Sequence, residues 1–172
     1  MTLPDTRLDG KRVLVTGSSR GIGYDVAHTF ARAGAKLVLS GRDCGALEST
    51  AETLRSECGA EVHVVAADLA APDGPISLAE KSLGVLGGID VLVNNAGISY
   101  PESVEALDTG HFDEVMQVNL RAPALLAARI GRAMAESGGG SLVTIASAAA
   151  LRPLPEHYAY CTSKAGLIMA TK

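Results

Sequence analysis

The stretch Arg12–Gly23, Arg-Val-Leu-Val-Thr-Gly-Ser-Ser-Arg-Gly-Ile-Gly, decides the fold. Arg12 to Thr16 reads as a short buried strand. Glycines then stand at 17, 21 and 23, a G-x-x-x-G-x-G spacing. From Gly21 to Ala33 the apolar residues Ile22, Val26, Phe30 and Ala33 recur at helical spacing and predict one buried face. A strand entering a helix through such a turn brings backbone N–H groups and the positive end of the helix dipole to one point. The glycines permit a tight turn, close approach of a phosphate, and close helix–strand packing. A purely structural turn is the plain alternative; the position between the first strand and the first helix favours an anion cradle.

Outward from this stretch, strands and helices alternate. Lys36–Ser40, Glu61–Ala66, Asp90–Val93 and Ser141–Ile145 read as strands. Gly45–Glu57, with Leu47, Ala51 and Leu54 aligned, reads as a helix, and Ile76–Leu83 as a weaker one. Phe112–Glu136 reads as a long helix interrupted near Pro123, and a last helix begins near Glu156. Strand–helix alternation without hairpin signals means parallel crossovers, hence an α/β fold: a doubly wound parallel sheet with helices on both faces. Gly138–Gly140 reads as a helix stop, and residues 1–172 as a single domain.

Composition narrows the function. The 172 residues are 47% hydrophobic and 20% charged, as in a globular protein. Fifteen basic against nineteen acidic residues give a net charge of −4, which argues against nucleic acid as a partner. Two Phe, four Tyr and no Trp offer little for base stacking. No apolar run approaches the roughly 18 residues of a membrane helix, and no secretory signal is visible. Three cysteines at no motif spacing read as free thiols of a cytoplasmic protein, and four scattered histidines predict no metal site.

The second strand ends Leu39-Ser40-Gly41-Arg42. An acid at that strand end would bond a ribose 2′-hydroxyl and repel a 2′-phosphate. Gly41 stands there instead. Arg42, with Arg20 in the glycine turn, can grip a phosphate with paired donors, which favours NADP(H) over NAD(H). Two solvated arginines are the bland reading.

Tyr160 and Lys164 stand four residues apart, so a helix puts them on one face. A free phenol ionises near ~10 and is a poor proton partner at neutral pH. A neighbouring ammonium favours the phenolate, fitting such a pair for acid/base work on a carbonyl or alcohol oxygen. The same spacing arises by chance in many helices. Tyr158 has no Lys four residues on. Ser147 follows the fifth strand, at the sheet edge that carries ligands in open parallel sheets. Its hydroxyl can hold a substrate oxygen; otherwise it is a small loop residue. Asn94-Asn95-Ala96-Gly97 at the same edge can lock strand ends and contact a cofactor, or be only a turn. Asn119, unfavourable in mid-helix, needs a buried partner, and a role in ordering water fits. Cys161 lacks a neighbouring base that would make it a nucleophile.

Together TGSSRGIG (Thr16 to Gly23), Asp68, NNAG (Asn94 to Gly97), Asn119, Ser147 and YCTSK (Tyr160 to Lys164) resemble the short-chain dehydrogenase/reductase family, in its order and spacing. The resemblance implies a Rossmann-type fold and hydride transfer between a nicotinamide and a carbonyl or secondary alcohol of a small molecule. Tyr160 is then the acid/base, Lys164 its tuner and a ribose ligand, Ser147 the substrate-oxygen ligand, and Asn119 the holder of a relay water. Gly17, Ser19, Arg20, Gly21, Ile22, Gly23, Arg42, Asp68, Leu69, Asn95, Ala96 and Gly97 border the cofactor, Asp68 and Leu69 at the adenine. Family members continue beyond the helix in which this chain stops. The expectation is therefore a C-terminally truncated member with an incomplete domain and an apolar edge on its fifth strand, homo-oligomeric at full length. The alternative function is an inactive fragment that at most binds nucleotide.

Overall fold

The computed structural model describes residues 7–172. Five strands form one sheet: β1 (Arg12–Thr16), β2 (Lys36–Ser40), β3 (Val62–Val64), β4 (Val91–Asn94) and β5 (Ser141–Thr144). All neighbours are parallel, in the order β3-β2-β1-β4-β5. The order reverses between β1 and β4, so the carboxyl ends of those two strands flank a crevice. Among the described residues, five α-helices lie in the connections, α1 (Gly21–Arg32), α2 (Cys44–Cys58), α3 (Gly74–Leu86), α4 (Thr109–Met116) and α5 (Ala122–Glu136), and a sixth, α6 (Tyr158–Ala170), follows β5.

Strand alternation builds two cores. Leu14, Val38 and Leu92 face one side and pack with Leu78 of α3 and Leu126 and Ile130 of α5. Val13, Val15, Leu37, Leu39 and Val93 face the other and pack with Ala27 and Ala31 of α1 and Leu47, Ala51 and Leu54 of α2. Both faces of the central strands are covered, so their sequences are continuously apolar rather than alternating. β5 is an edge, with Leu142 and Val143 each more than 40% exposed.

The architecture is as read from the sequence, with local corrections. The fully buried residues of α1 are Gly23, Ala27 and Ala31; Val26 and Phe30 pack half-buried against the same core as expected, whereas Ile22 is 62% exposed. Small residues let the helix approach the sheet closely, and the larger ones fall beside the contact. β3 is three residues rather than six. Its ladder still continues, through Val65 N–H to the Leu39 carbonyl (3.0 Å) and Ala67 N–H to the Gly41 carbonyl (2.9 Å). α3 is longer than expected because Pro75 starts it, where a missing N–H costs nothing, and Gly87 in the left-handed region ends it. The interruption predicted near Pro123 is a wide π-type turn over Gln117–Arg121 that joins α4 to α5. α6 packs against α4, this turn and the short turn Ala148–Ala150, and so comes to lie beside the carboxyl ends of β4 and β5.

Candidate active site

The crevice between β1 and β4 holds a groove of about 460 Å³. It is lined by Gly17, Ser19, Arg20, Gly21, Ile22 and Gly23 from the first turn. Ser40, Gly41 and Arg42 come from the end of β2, and Ala67, Asp68 and Leu69 from the segment after β3. Asn95, Ala96 and Gly97, after β4, complete it with Ile98 and Val118. Twelve of the fourteen residues expected to contact a cofactor are therefore brought together here; the other two, Tyr160 and Lys164, line the adjoining cavity.

Backbone makes most of this groove. Gly17 has φ +65°, and a Cβ there would stand 2.8 Å from Ala96 Cα. A Cβ on Gly23 would collide with the Gly17 carbonyl oxygen and with Asn95 Nδ2. These two glycines let the turn, α1 and the end of β4 touch. Side chains then lock the contact. Asn95 Nδ2 donates to the carbonyls of Thr16 (2.8 Å) and Gly17 (3.0 Å). Thr16 Oγ1 accepts from the N–H groups of Asn95 (3.0 Å) and Ala96 (3.1 Å). Thr16, the last residue of β1 and the first of the TGSSRGIG motif, is thereby a structural lock as well as a strand end. Its signal was a hydroxyl at the last strand position, one residue before the turn.

The groove fits a phosphate-bearing dinucleotide. A Cβ on Gly21 would meet nothing within 4 Å, so open space lies over the start of α1, and the first turn of α1 carries no acidic residue. N–H groups, helix dipole and Arg20 face that space together. Arg42 lines the same groove with its side chain 66% exposed. Asp68 Oδ1 accepts from Ala70 N–H (3.0 Å), which fixes the bend that carries Leu69 to the wall.

A second cavity, about 410 Å³, shares Ile22, Asn95, Gly97 and Ile98 with the first. Ser147, Tyr160 and Lys164 line it, with Ser99, Leu154 and His157 from the loops after β4 and β5. Ser147 Oγ accepts from Ala149 N–H (3.1 Å), capping the short turn after β5. Lys164 is almost fully buried, and Nζ donates to the Ile145 carbonyl (2.8 Å). Burial pushes the Lys164 ammonium below its usual range. Nζ lies 5.8 Å from the centre of the Tyr160 ring, as the four-residue spacing predicts.

Asn119 sits inside the π-type turn and is fully buried. Its Oδ1 accepts from Ile98 N–H (2.9 Å); its Nδ2 donates to the Ile98 carbonyl (2.8 Å) and to Ser163 Oγ (3.2 Å). The side chain thus ties the wall shared by both cavities to α6. A Cβ on Gly97 would stand 3.4 Å from Asn119 Oδ1 and 3.6 Å from Lys164 Nζ, so the glycine keeps this corner open. Cys161 faces the backbone of Leu154, whose N–H lies 3.3 Å from Sγ, and is not among the residues lining the cavity. Among the described residues no cluster could hold a metal ion, and no helix is long and apolar enough to cross a membrane.

The sequence model described as short chain dehydrogenase matches residues 11–172. The chain belongs to the short-chain dehydrogenase family. It is 36% identical to a D-threitol dehydrogenase of Mycolicibacterium smegmatis over 168 residues, covering 98% of this chain and 64% of that one. It is 37% identical to a probable galactose dehydrogenase of Rhizobium meliloti, covering 100% of this chain and 68% of that one. An L-sorbose reductase of Gluconobacter frateurii, solved with NADPH and L-sorbose, superposes with a TM-score of 0.92 at 34% identity over 96% of this chain and 63% of that one. This short-chain dehydrogenase chain therefore spans about two thirds of the length of its relatives.

Proposed function

We propose that the protein is an NADP(H)-dependent oxidoreductase acting on the carbonyl or secondary alcohol of a small molecule. The observation that carries this reading is that a cavity holding Ser147, Tyr160 and Lys164 shares a wall with a glycine-built phosphate groove. The glycine turn, Arg20 and Arg42 would hold the phosphates, and Asp68 and Leu69 would border the adenine. A nicotinamide held beside Tyr160 and Ser147 would supply or take the hydride. NADPH in the L-sorbose reductase, and NADP in a metagenomic short-chain oxidoreductase 34% identical to this chain, support the cofactor.

The chain's own residues then manage the oxygen and its proton. Ser147 Oγ donates to the substrate oxygen and fixes the carbonyl beside Tyr160. The Tyr160 hydroxyl gives its proton to that oxygen in reduction and takes it back in oxidation. The Lys164 ammonium, held by the Ile145 carbonyl, stabilises negative charge on the Tyr160 oxygen. Asn119 acts by positioning, since both of its amide N–H groups are engaged. A cytoplasmic setting fits the three unpaired cysteines.

Tyr160→Phe tests the assignment. With NADPH and a panel of ketones, kcat should fall by about 10² or more. Nucleotide Kd should stay within about threefold. Unchanged turnover defeats the acid/base role. Tight nucleotide binding by the wild type with no turnover on any ketone or alcohol would instead favour a nucleotide-binding module.

A further inference from the structure

We infer that Glu114 is a specificity-determining residue of the nucleotide groove, whose carboxylate competes with a 2′-phosphate for Arg42. The inference rests on the groove reading above and deepens it. Arg42 lines the groove and Glu114 does not, yet Glu114 Oε1 lies 3.5 Å from Arg42 Nη1. Arg20, the other arginine of the groove, has no side-chain partner among the described residues. The two cations thus differ: one is ready for an anion, the other already has one.

Glu114 is held where it is. It projects from α4, and its second oxygen, Oε2, accepts from the Tyr100 hydroxyl at 2.5 Å. Tyr100 is itself fixed, since its ring stacks on His111 with centroids 4.0 Å apart and planes 14° from parallel. His111 in turn pairs through Nδ1 with Glu102. The carboxylate therefore cannot simply swing away when a phosphate arrives. Either Arg42 leaves it, or a second negative charge stays beside the bound phosphate. Both reduce affinity for a 2′-phosphate, and neither touches a cofactor that lacks one. The Tyr100 hydroxyl moderates the effect by drawing charge from the same carboxylate.

Calorimetry with NADPH and NADH on the wild type, Glu114→Gln and Tyr100→Phe decides the matter. Glu114→Gln should tighten NADPH about threefold to fivefold at low salt, as suits an exposed ion pair, and leave NADH within about twofold. The gain should shrink as ionic strength rises. Tyr100→Phe should shift NADPH about twofold the other way, because the carboxylate then has only Arg42. An unchanged NADPH/NADH ratio in Glu114→Gln, or equal gains for both cofactors, overturns the inference. Failure of wild type and variants alike to bind either nucleotide overturns it together with the groove reading, and so differs from an unchanged ratio.

Discussion

The two cavities share a wall but are made differently. The glycine groove is made of backbone: glycines without Cβ, strand ends, and N–H groups at a helix start, locked by Thr16 and Asn95. The second cavity is lined mainly by side chains from α6 and from the loops after β4 and β5, and the packing of α6 sets one of its walls. A backbone site fails through steric clash. A side-chain site fails through the loss of single functional atoms, with the fold intact. Gly23→Ala should break the first kind with the largest effect. The new methyl collides with a carbonyl oxygen that cannot rotate away, so α1 must shift. Thermal or urea unfolding should show a loss near about 3 kcal/mol, the upper end for overpacking, with nucleotide binding lost. Tyr160→Phe, in contrast, should leave the melting point within a degree or two. If Gly23→Ala melts as the wild type does, the backbone account of the groove is wrong.

Both cavities hang on the same strand pair, β1 and β4, and that pair is pinned at its opposite end. Asp90 accepts from Arg12 N–H (2.8 Å), Nε (2.9 Å) and Nη2 (2.8 Å), and Arg12 Nη1 donates to the Gly87 carbonyl (2.7 Å). The Arg12 guanidinium holds the Asp90 carboxyl down at about 2, against an ordinary 3.8. A depressed carboxyl stabilises the fold fully above its unfolded value, and the gain is lost as pH falls through the folded one. Between pH 5 and pH 2 the wild type should therefore lose about 2 kcal/mol more than Asp90→Asn in urea titrations. Because the pin lies far from both cavities, this loss should not discriminate between nucleotide binding and catalysis. Equal acid sensitivity of the two proteins would remove Asp90 from the account.

The sequence makes the sheet and most of the groove legible for a physical reason. Buried parallel strands are short apolar runs, and glycine spacing in a strand–turn–helix reports backbone geometry directly. The Tyr160–Lys164 juxtaposition is legible because four residues make about one helical turn. What stays hidden depends on tertiary contact. The period of α1 marks Ile22, Val26 and Phe30; Val26 and Phe30 do reach the core's margin, but Ile22 is exposed and the fully buried positions are the smaller Gly23, Ala27 and Ala31. Asn119 signals a buried need without naming its partners, Ile98 and Ser163. Glu114 looks like an ordinary charged helix residue until Arg42, 72 positions away in sequence, is placed beside it.

The pairing of Arg42 also sharpens the contrast between backbone and side-chain construction inside the groove itself. In the proposed mode, phosphates at the start of α1 would be met by backbone N–H groups, which only a proline substitution removes, with Arg20 as an addition. A 2′-phosphate near Arg42 meets a side chain alone. Arg42→Ala should therefore weaken NADPH about tenfold, equivalent to about 1.4 kcal/mol, and leave NADH nearly unchanged. Arg20→Ala should weaken both cofactors by a smaller and similar factor. The double variant Arg42→Ala/Glu114→Gln is the finer measurement. If Glu114 acts through Arg42, its removal should gain little once the guanidinium is gone, and the two effects should fail to add. Simple additivity of the two in NADPH affinity would mean that Glu114 acts on the phosphate by charge alone, and that the 3.5 Å pair contributes nothing to cofactor choice.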